Sequence, residues 1–442
     1  MHSCEDDGLE NKLDINLKTV YDILMAVEQK RQYSNITTNN IIDKNEPTKP
    51  AFVREIVYGV LENKYLLDYK ISRLIRGKIK DVRPQDLTIL RSGIYQLEYM
   101  NSIKSYTVVN ESVKIAKKFA KGRDKFVNAI LQRYAREGKN LNPVPKSEEI
   151  SDIISFWKIK YSFETWILKL FVNQFGLVET ENILKSLNRH PNFFVRTNLN
   201  EISRDELQKK LKAMGIESVA SERTDTALKL FGKNLIDNSL YERGFYSVQD
   251  ESSQILIKEM EIEKNLCVVD VCAAPGGKTF AIAERMKNTG IVYSRDIYMH
   301  KIKKIENEAK RLRLGNVQAS LWDGTKPEAD LVEKCHRVLC DVPCSGLGII
   351  ARKPEIKYRK NSKEIKKLYE IQFEILRASA KYLKKDGILL YSTCTINRDE
   401  NEAIVERFLK ENIDFKLEKK ILLLPNRDDT DGFFIAKIVK EA

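Results

Sequence analysis

The chain lacks the long apolar runs that mark membrane proteins. No stretch of roughly 18 consecutive apolar residues occurs in it. The first residues, Met-His-Ser-Cys-Glu-Asp-Asp, do not show the basic-then-apolar order of a secretory signal. We therefore expect a cytoplasmic protein with no membrane partner.

Cysteine and histidine patterns typical of disulfide or zinc proteins are also absent. The seven cysteines are odd in number, no C-x-x-C motif occurs, and the four histidines are scattered. We expect neither a disulfide framework nor a metal site. Three cysteines inside apolar segments, Cys267, Cys272 and Cys340, are predicted to be small buried hydrophobic residues.

Negative charge is the scarcer sign in this chain. Its 76 Lys and Arg residues outnumber 63 Asp and Glu residues, which gives a net charge of +13. A basic protein of this kind favours a polyanionic partner, and we expect a nucleic acid. With 42% hydrophobic and 31% charged residues in 442, the composition indicates a globular protein of about two to four domains.

The most informative stretch is the apolar run 268–271, which is followed by Cys-Ala-Ala-Pro-Gly-Gly-Lys-Thr and then by a helical pattern. A buried strand, a glycine turn and a helix N-terminus form a place where a nucleotide-like ligand can approach backbone N–H groups. The turn is not a phosphate loop, because Cys272 stands where that motif needs glycine. The spacing of Gly276 and Gly277 also fails the dinucleotide fingerprint. A doubly wound sheet that binds S-adenosylmethionine (SAM) fits what remains.

Residues 13–137 show apolar residues at three- and four-residue spacing, interrupted by a polar stretch at 37–49. This pattern predicts a small helical bundle with its own core. The segments Asn-Glu-Ser-Val-Lys-Ile-Ala at 110–116 and Lys-Phe-Val-Asn-Ala-Ile-Leu at 125–131 resemble the signature of the NusB-type RNA-binding helical domain. The basic stretch 117–126 either contacts a phosphate backbone or is a solvated helix end with its aromatic residues in the core.

Residues 138–147 are a linker by composition, and helical patterns resume from Trp157 to Leu187. A small α+β segment is predicted between Pro191 and Gly244, as an RNA platform or as a structural connector. Asp250 or Ser252 is expected to cap the helix that follows.

Beyond this point, strands and helices alternate, and most strands end in polar residues. The predicted strands end at Asp296, near Asp323, at Asp341 and at Cys394, and Phe433–Val439 is predicted to be the last edge strand. Ligands of such sheets bind at the carboxyl ends of the strands. Asp296 lies roughly 20 residues beyond the glycine turn, where a carboxylate binds ribose hydroxyls. Asp323 is suited to an adenine amine, although both residues are also candidates for plain strand-end caps.

The loop Asp-Val-Pro-Cys-Ser-Gly-Leu-Gly at 341–348 carries cysteine where amine-directed methyltransferases have an aromatic residue. A thiolate suits a carbon target, because addition to C6 of a pyrimidine makes C5 nucleophilic. Cys394, in Ser-Thr-Cys-Thr, follows another strand and is expected to face the same cleft as Cys344. Spacing alone does not tell which of the two attacks.

The motifs at 272–279, 341–348 and 391–402 resemble those of the RNA cytosine-C5 methyltransferases of the NOL/NOP/Sun family. Together with the NusB-like segment, nearly the full length is similar to the bacterial branch that methylates 16S rRNA. The resemblance implies Cys394 as the nucleophile, Cys344 as the residue that assists product release, and Asp341 as a hydrogen-bond partner of the cytosine N3/N4 edge. It implies a SAM site formed by Cys272, Ala273, Ala274, Pro275, Gly276, Gly277, Lys278, Asp296, Asp323 and Asp341.

We therefore predict a NusB-like α-helical bundle over 1–140, a helical and α+β connecting region over 148–245, and a Rossmann-like α/β SAM-dependent methyltransferase domain over 246–442. The expected substrate is 16S rRNA, naked or in early assembly, and the expected state is a monomer. The basic segment 352–360 is expected to pair with RNA phosphates. Two alternatives are the same chemistry on tRNA or 23S rRNA, and a non-catalytic RNA-binding or ribosome-assembly factor.

Overall fold

A computed structural model describes residues 13–30, 34–143, 149–232, 235–236, 238–359 and 362–441. The chain divides into two compact units. Unit 1 comprises Met1–Asn188 together with Arg352–Arg359, and unit 2 comprises Arg189–Ala351 together with Lys360–Ala442. The three-domain boundaries drawn from the sequence stay a prediction. Among the described residues, no helix is long and apolar enough to cross a membrane.

Unit 1 is α-helical, as the apolar spacing predicts. Its helices are α1 (Ile15–Lys30), α2 (Ser34–Asn45), α3 (Pro50–Glu62), α4 (Lys64–Ser72), α5 (Pro84–Tyr99), α6 (Ser105–Phe119), α7 (Asp124–Glu137), α8 (Ile150–Lys160) and α9 (Thr165–Leu187). The apolar faces meet in one core, in which Val53, Ile56 and Val57 of α3 are fully buried. Burial of each such side chain stabilises the folded state by roughly 1.5–3 kcal/mol relative to leaving it exposed to water.

Two local features of unit 1 clarify the sequence patterns. Most of the polar stretch 37–49 is helical, because α2 buries Thr37, Thr38 and Ile42 despite its low apolar content. In the basic stretch 117–126, Phe119 and Phe126 pack against the bundle core. The aromatic residues therefore face inward, as the solvated-helix interpretation expects.

Unit 2 begins with a small α+β segment, which confirms the segment predicted between Pro191 and Gly244. It contains β1 (Phe193–Thr197), α10 (Arg204–Ala213), β2 (Glu217–Ala220), β3 (Ala227–Phe231), α11 (Ser239–Glu242) and β4 (Tyr246–Val248). The strands form an antiparallel sheet in the order β2-β3-β1-β4. A capping box between Ser203 and Glu206 starts α10, and Leu207 and Leu211 of that helix enter the core.

The larger part of unit 2 is a seven-stranded, mostly parallel sheet. Its elements are α12 (Glu251–Glu259), β5 (Cys267–Asp270), α13 (Gly277–Arg285), β6 (Ile291–Asp296), α14 (Met299–Arg311), β7 (Val317–Leu321), β8 (Cys335–Asp341), α16 (Ser362–Ala380), β9 (Leu383–Thr393), α17 (Glu402–Glu411), β10 (Phe415–Leu423), α18 (Pro425–Asp428) and β11 (Phe433–Lys440). The short helix between β8 and α16, α15 (Ile356–Arg359), belongs to unit 1.

The strand order β10-β11-β9-β8-β5-β6-β7 makes β8 the central strand, with β9 on one side and β5 on the other. Val268 of β5 packs in the core on one face of the sheet, and Val269 packs in the core on the other face. Apolar residues on both faces are what a doubly wound parallel sheet requires, so the predicted α/β class is confirmed. Asp250 accepts a hydrogen bond from Ser252 N (3.0 Å) and caps α12, also as expected.

The prediction for the last strand was wrong in one respect. β11 is not an edge strand, because it pairs with β9 on one side and with β10 on the other. Its residues from Phe433 to Ile438 are all buried, whereas β10 carries Lys416, Glu418 and Lys419 and tolerates the solvated edge. Sequence inspection missed β10 because its charged residues hide the strand pattern.

Candidate active site

The turn after β5 places the predicted residues 272–278 at the carboxyl edge of the sheet. The Ala274–Pro275 peptide bond is cis, and Gly276 has φ +106°. A Cβ atom at Gly276 would lie 2.3 Å from Cζ of Phe280, so both the backbone conformation and the space require glycine. Helix α13 starts at Gly277, and the first N–H groups of a helix have no partner within it. The turn therefore presents backbone donors beside Lys278.

Neighbouring strand ends fasten this turn. Ala273 N donates to Arg295 O at 2.9 Å, which joins the turn to the end of β6. A Cβ atom at Gly324 would lie 3.3 Å from Val271 O and 3.8 Å from Cys272 Sγ. The loop after β7 therefore lies directly against the turn.

The two predicted adenosine-binding carboxylates differ in exposure. Asp296 ends β6, is 6% exposed, and accepts a hydrogen bond from Tyr298 N at 3.1 Å. Asp323 follows β7 and is about half exposed. Its carboxylate accepts hydrogen bonds from Thr325 N (3.1 Å) and Thr325 Oγ1 (2.7 Å). These hydrogen bonds lower the pKa of Asp323 and keep the carboxylate ionised.

Asp341, the last residue of β8, is held by two neighbours. Lys278 Nζ donates to its Oδ2 at 2.7 Å, and Ser392 Oγ donates to its Oδ1 at 2.7 Å. Burial acts to lower the pKa of Lys278, but the Asp341 carboxylate outweighs it and the pKa is raised. Lys278 is therefore a fixed cation that links the glycine turn to the end of β8.

The structure brings Cys344 and Cys394 together. Strands β8 and β9 are parallel neighbours in which Asp341 pairs with Ser392, so the residues after them share one edge. The two Sγ atoms are 3.1 Å apart, and both residues are partly exposed. The hydrogen bond with Cys394 and burial raise the pKa of the Cys344 thiol well above its usual range. The cysteine pair lies in the same constellation as Asp341 and Lys278.

The other four cysteines of the described residues also lie in unit 2. Cys340 is buried within β8, as predicted, whereas Cys272 and Cys267 are only partly buried. Cys267 begins β5 and lies 3.7 Å, Sγ to Sγ, from Cys335 at the start of β8, at the opposite end of both strands from the thiol pair. Among the described residues, no group of three or more His, Cys, Asp or Glu is arranged to hold a metal ion.

Asp270 was missed by the sequence analysis. It ends β5, is 1% exposed, and accepts a hydrogen bond from Thr279 Oγ1 at 2.7 Å. Burial raises the pKa of Asp270 to about 7. A carboxylate at the end of an apolar strand, directly before a glycine turn, was the signal that could have identified it.

Arg196 of β1 was missed as well. Its side chain is 3% exposed and makes hydrogen bonds of 2.8 Å to both carboxylate oxygens of Glu284 in α13. It also donates to Gly277 O at 2.9 Å and to Gln249 Oε1 at 2.6 Å. The small α+β segment thus contacts the first residue of α13, which no sequence spacing could have indicated.

One residue of the basic segment 352–360, which was expected to pair with RNA phosphates, lies in the interior of unit 1. Lys357 is fully buried within unit 1, where Nζ donates to Glu62 O (3.0 Å), to Tyr161 O (3.1 Å) and to Asn188 Oδ1. A lysine held in this way has no hydrogen left for a phosphate, so the expectation of an RNA contact is wrong for this residue. Burial lowers the pKa of Lys357 to about 7.

Comparison with known families covers most of the chain. The model of the 16S rRNA methyltransferase RsmB/F family matches residues 257–439, the NusB family model matches residues 15–136, and the Methyltr_RsmF/B-like, ferredoxin-like domain matches residues 163–236. The probable ribosomal RNA small subunit methyltransferase B of Bacillus subtilis (strain 168) is 36% identical over 95% of this chain and 97% of its own length. The corresponding Synechocystis protein is 33% identical over 95% of this chain and 98% of its own length.

Solved structures show the same architecture. The crystal structure of PH0851 superimposes with a TM-score of 0.81 at 26% identity, covering 96% of this chain and 98% of that chain. The structure of NSun6 from Pyrococcus horikoshii with SFG gives a TM-score of 0.56 at 23% identity, covering 62% of this chain and 97% of that chain. The second likeness shows a shared fold.

Proposed function

We propose, from the premise that this chain belongs to the family of ribosomal RNA small subunit methyltransferase B proteins, that it transfers a methyl group from SAM to C5 of a cytidine in 16S rRNA. The observation that carries the proposal is the contact between Cys344 and Cys394, 3.1 Å apart at the ends of two adjacent parallel strands. Methylation of a nucleophilic exocyclic amine needs no thiol, whereas methylation at C5 needs a nucleophile that adds to C6.

The residues around the glycine turn fit SAM. The position of a Cβ at Gly276 is closed by Phe280, while the first residues of α13 present their N–H groups at the strand edge. Asp296 ends β6 at the same edge as this turn, as a carboxylate that binds ribose hydroxyls should. We assign the SAM site to residues 272–278 with Asp296, Asp323 and Asp341. When bound there, SAM supplies a methyl group as the electrophile.

Cys394 is assigned as the nucleophile. Its thiolate adds to C6 of the cytosine, so a C6–S bond forms and an electron pair becomes available at C5. Cys394 contributes to the raised pKa of Lys278, so the two side chains lie within electrostatic range of each other. A fixed cation near a thiol favours the thiolate form. We assign Asp341 to hydrogen-bond the N3/N4 edge of the base as charge develops there.

The reaction is completed at the same two strand ends. C5 takes the methyl group, and the electron pair of the broken S–CH3 bond stays on the sulfur of the departing S-adenosylhomocysteine. The C5 proton then passes to water, and the electrons of the C5–H bond restore the C5–C6 double bond as the C6–S bond breaks. Cys394 returns as a thiolate. Cys344, in contact with its sulfur, is assigned to assist this release. The target base must leave its stack to reach the thiols, which favours a cytidine in a loop or single strand.

The test is incubation of the purified chain with radiolabelled SAM and unmethylated 16S rRNA, followed by nucleoside analysis. We expect the label in 5-methylcytidine. Label in another nucleoside would overturn the C5 assignment. An absence of label from 16S rRNA, with SAM binding measured separately, would contradict the substrate, and tRNA and 23S rRNA would then be tested in the same assay.

A further inference from the structure

A buried carboxylate connects the two loops that carry the cysteines. Glu400 lies in a short 3₁₀ helix, Arg398–Glu400, and is 0% exposed. On one side, its Oε2 accepts hydrogen bonds from Ser345 N at 2.7 Å and from Gln372 Nε2 at 3.0 Å. Ser345 is the residue directly after Cys344, so this side chain restrains the Cys344 loop (342–348).

The other oxygen of the same carboxylate restrains the Cys394 loop (394–397). Glu400 Oε1 accepts hydrogen bonds from Asn397 Nδ2 at 3.1 Å and from Thr395 Oγ1 at 3.4 Å. The two loops also contact each other directly, through Ser345 Oγ and Thr395 Oγ1 at 2.9 Å. One carboxylate therefore joins residues adjacent to both thiols, one loop on each oxygen.

The charge of Glu400 is unusual for so buried a position. Among the described residues, all four of its donors are neutral groups, and no cation pairs with it. Cys394 and Glu400 are the titratable groups with the largest effects on Cys344, and both Glu400 and Cys344 act in turn on Tyr391 of β9. Lys278 acts on Cys394 from the other side. The two thiols therefore have different charged neighbours: Glu400 acts on Cys344, and Lys278, which is paired with Asp341, acts on Cys394.

We propose that Glu400 is a positioning residue of this site: it fixes the separation of the Cys344 and Cys394 loops, and its negative charge keeps Cys344 protonated so that Cys394 is the thiol that attacks. This inference rests on the proposed function, because it assigns the attacking thiol of that reaction. Glu400 contacts neither sulfur and acts through the loops and through its field.

Two substitutions separate the charge from the geometry. In Glu400→Gln, the amide oxygen can face Ser345 N–H, the one donor that cannot reverse. The amide nitrogen can then donate to Thr395 Oγ1 after that hydroxyl rotates, while Asn397 Oδ1 keeps its hydrogen bond from Asp399 N. The loops stay joined while the charge is lost. In Glu400→Asp the charge stays, but the side chain is one methylene shorter and cannot reach both loops at once.

Site-resolved alkylation of Cys344 by iodoacetamide, followed by mass spectrometry across a pH series, measures the effect of the charge. We expect the Glu400→Gln profile to move to lower pH, because loss of the neighbouring charge makes the Cys344 thiolate easier to form. The matched control is Glu406→Gln on α17, whose side chain is 67% exposed, and its profile should match wild type. An unchanged Glu400→Gln profile overturns the proposed charge effect.

Steady-state methylation measures the effect of the geometry. We expect Glu400→Asp to lower kcat about 100-fold, as misplacement of a reacting group by about 1 Å does, with KM for SAM unchanged. A wild-type kcat overturns the positioning role, and if this variant does not fold, the Glu400→Gln profile decides. Alkylation needs neither RNA nor SAM. A shifted profile in a protein that makes no 5-methylcytidine would therefore contradict the proposed function alone.

Discussion

At the scale of single residues, the two thiols of the site are chemically distinct although their sulfurs touch. Cys344 is followed by Ser345, which is bonded to buried Glu400, whereas Cys394 lies near Lys278. A thiolate is stabilised by a nearby cation and disfavoured by a nearby anion. The surroundings therefore favour Cys394 as the nucleophile, a distinction that the spacing of the two cysteines could not supply.

We expect Cys394→Ala to abolish methyl transfer and to leave SAM binding intact, because the C6–S bond can no longer form. We expect Cys344→Ala to accumulate a covalent protein–RNA adduct, seen as a slower band on a denaturing gel. Cys267 lies at the start of β5, far from the strand ends that carry Cys344 and Cys394. Cys267→Ala therefore serves as the control and should turn over normally. Near-normal turnover by Cys394→Ala, or free turnover by Cys344→Ala without any adduct, would contradict these roles.

Asp270 provides a prediction about pH. Its pKa is raised from its ordinary 3.8 to about 7, so between these values the folded state holds a proton that the unfolded state has lost. The free energy of unfolding therefore falls as pH rises from about 4 to about 7, by on the order of 4 kcal/mol. Asp270→Asn has no such titration and should gain in thermal midpoint relative to wild type from pH 5 to pH 8. Equal differences at both pH values, measured by calorimetry, would contradict this account.

The positions of Asp296, Asp341, Cys344 and Cys394 at one sheet edge could be predicted, because the carboxyl ends of parallel strands meet there. The partners of these residues could not. Ser392 bonds to Asp341, and Glu400 bonds to Ser345, through side-chain directions that depend on packing. Strand periodicity gives the face on which a residue lies, but not which neighbour its side chain reaches.

At the scale of elements, the end of the Cys344 loop is fixed by a close backbone contact between Gly348 and Gly432. Gly432 N donates to Gly348 O at 2.9 Å, just before β11 begins, and Gly348 N donates to Cys394 O at 3.1 Å. A Cβ atom at Gly348 would lie 1.9 Å from Gly432 O, which is backbone and cannot rotate away. The end of the loop is therefore pressed between the residue after β9 and the residue before β11.

We expect Gly348→Ala to displace the Cys344 loop and to lower methyl transfer about 100-fold while SAM still binds, since the glycine turn at Gly276 is separate. Gly315→Ala is the control, because nothing lies within 4 Å of a Cβ atom there. Activity assays and SAM titrations of both variants provide the test. An active Gly348→Ala protein would show that the loop tolerates the shift.

Elements with clear periodicity could be predicted from the sequence, while those that depend on tertiary pairing could not. The apolar spacing of α3 predicts a buried helix face, and Val53, Ile56 and Val57 are buried. Strand β10 was missed because Lys419 and Lys420 interrupt its alternation; it pairs with β11 at the edge of the sheet. The local sequence of a strand does not show which other strand it pairs with.

At the scale of the whole molecule, the net charge of +13 is consistent with an RNA substrate, as is the match of residues 257–439 to the 16S rRNA methyltransferase RsmB/F family. The order of elements along the chain is less regular than the sequence suggests. Residues 352–359 interrupt the methyltransferase domain and belong to unit 1, where Ile356 and Lys357 are buried. The run of basic residues did not indicate this burial. A buried lysine can be recognised only from the oxygen atoms that accept its hydrogen bonds, and these lie outside the run.

The buried lysine of this segment should contribute to the stability of unit 1. Lys357→Met keeps a side chain of similar length but leaves Glu62 O, Tyr161 O and Asn188 Oδ1 without their hydrogen-bond donor. Buried acceptors that lose their hydrogen-bond donor cost about 1–3 kcal/mol. We therefore expect faster hydrogen exchange in the α8 peptide and a lower thermal midpoint. Lys117→Met, at an exposed position of α6, serves as the control and should match wild type.

The pH dependence of that loss follows from the pKa of Lys357. It is lowered from 10.5 to about 7, so between these values the unfolded state binds a proton that the folded state does not. Wild-type stability therefore rises as pH increases from about 7 towards 10, whereas Lys357→Met lacks this term. The deficit of the variant should be larger at pH 9 than at pH 7. A deficit that does not grow over this range would show that Lys357 is buried in its charged form.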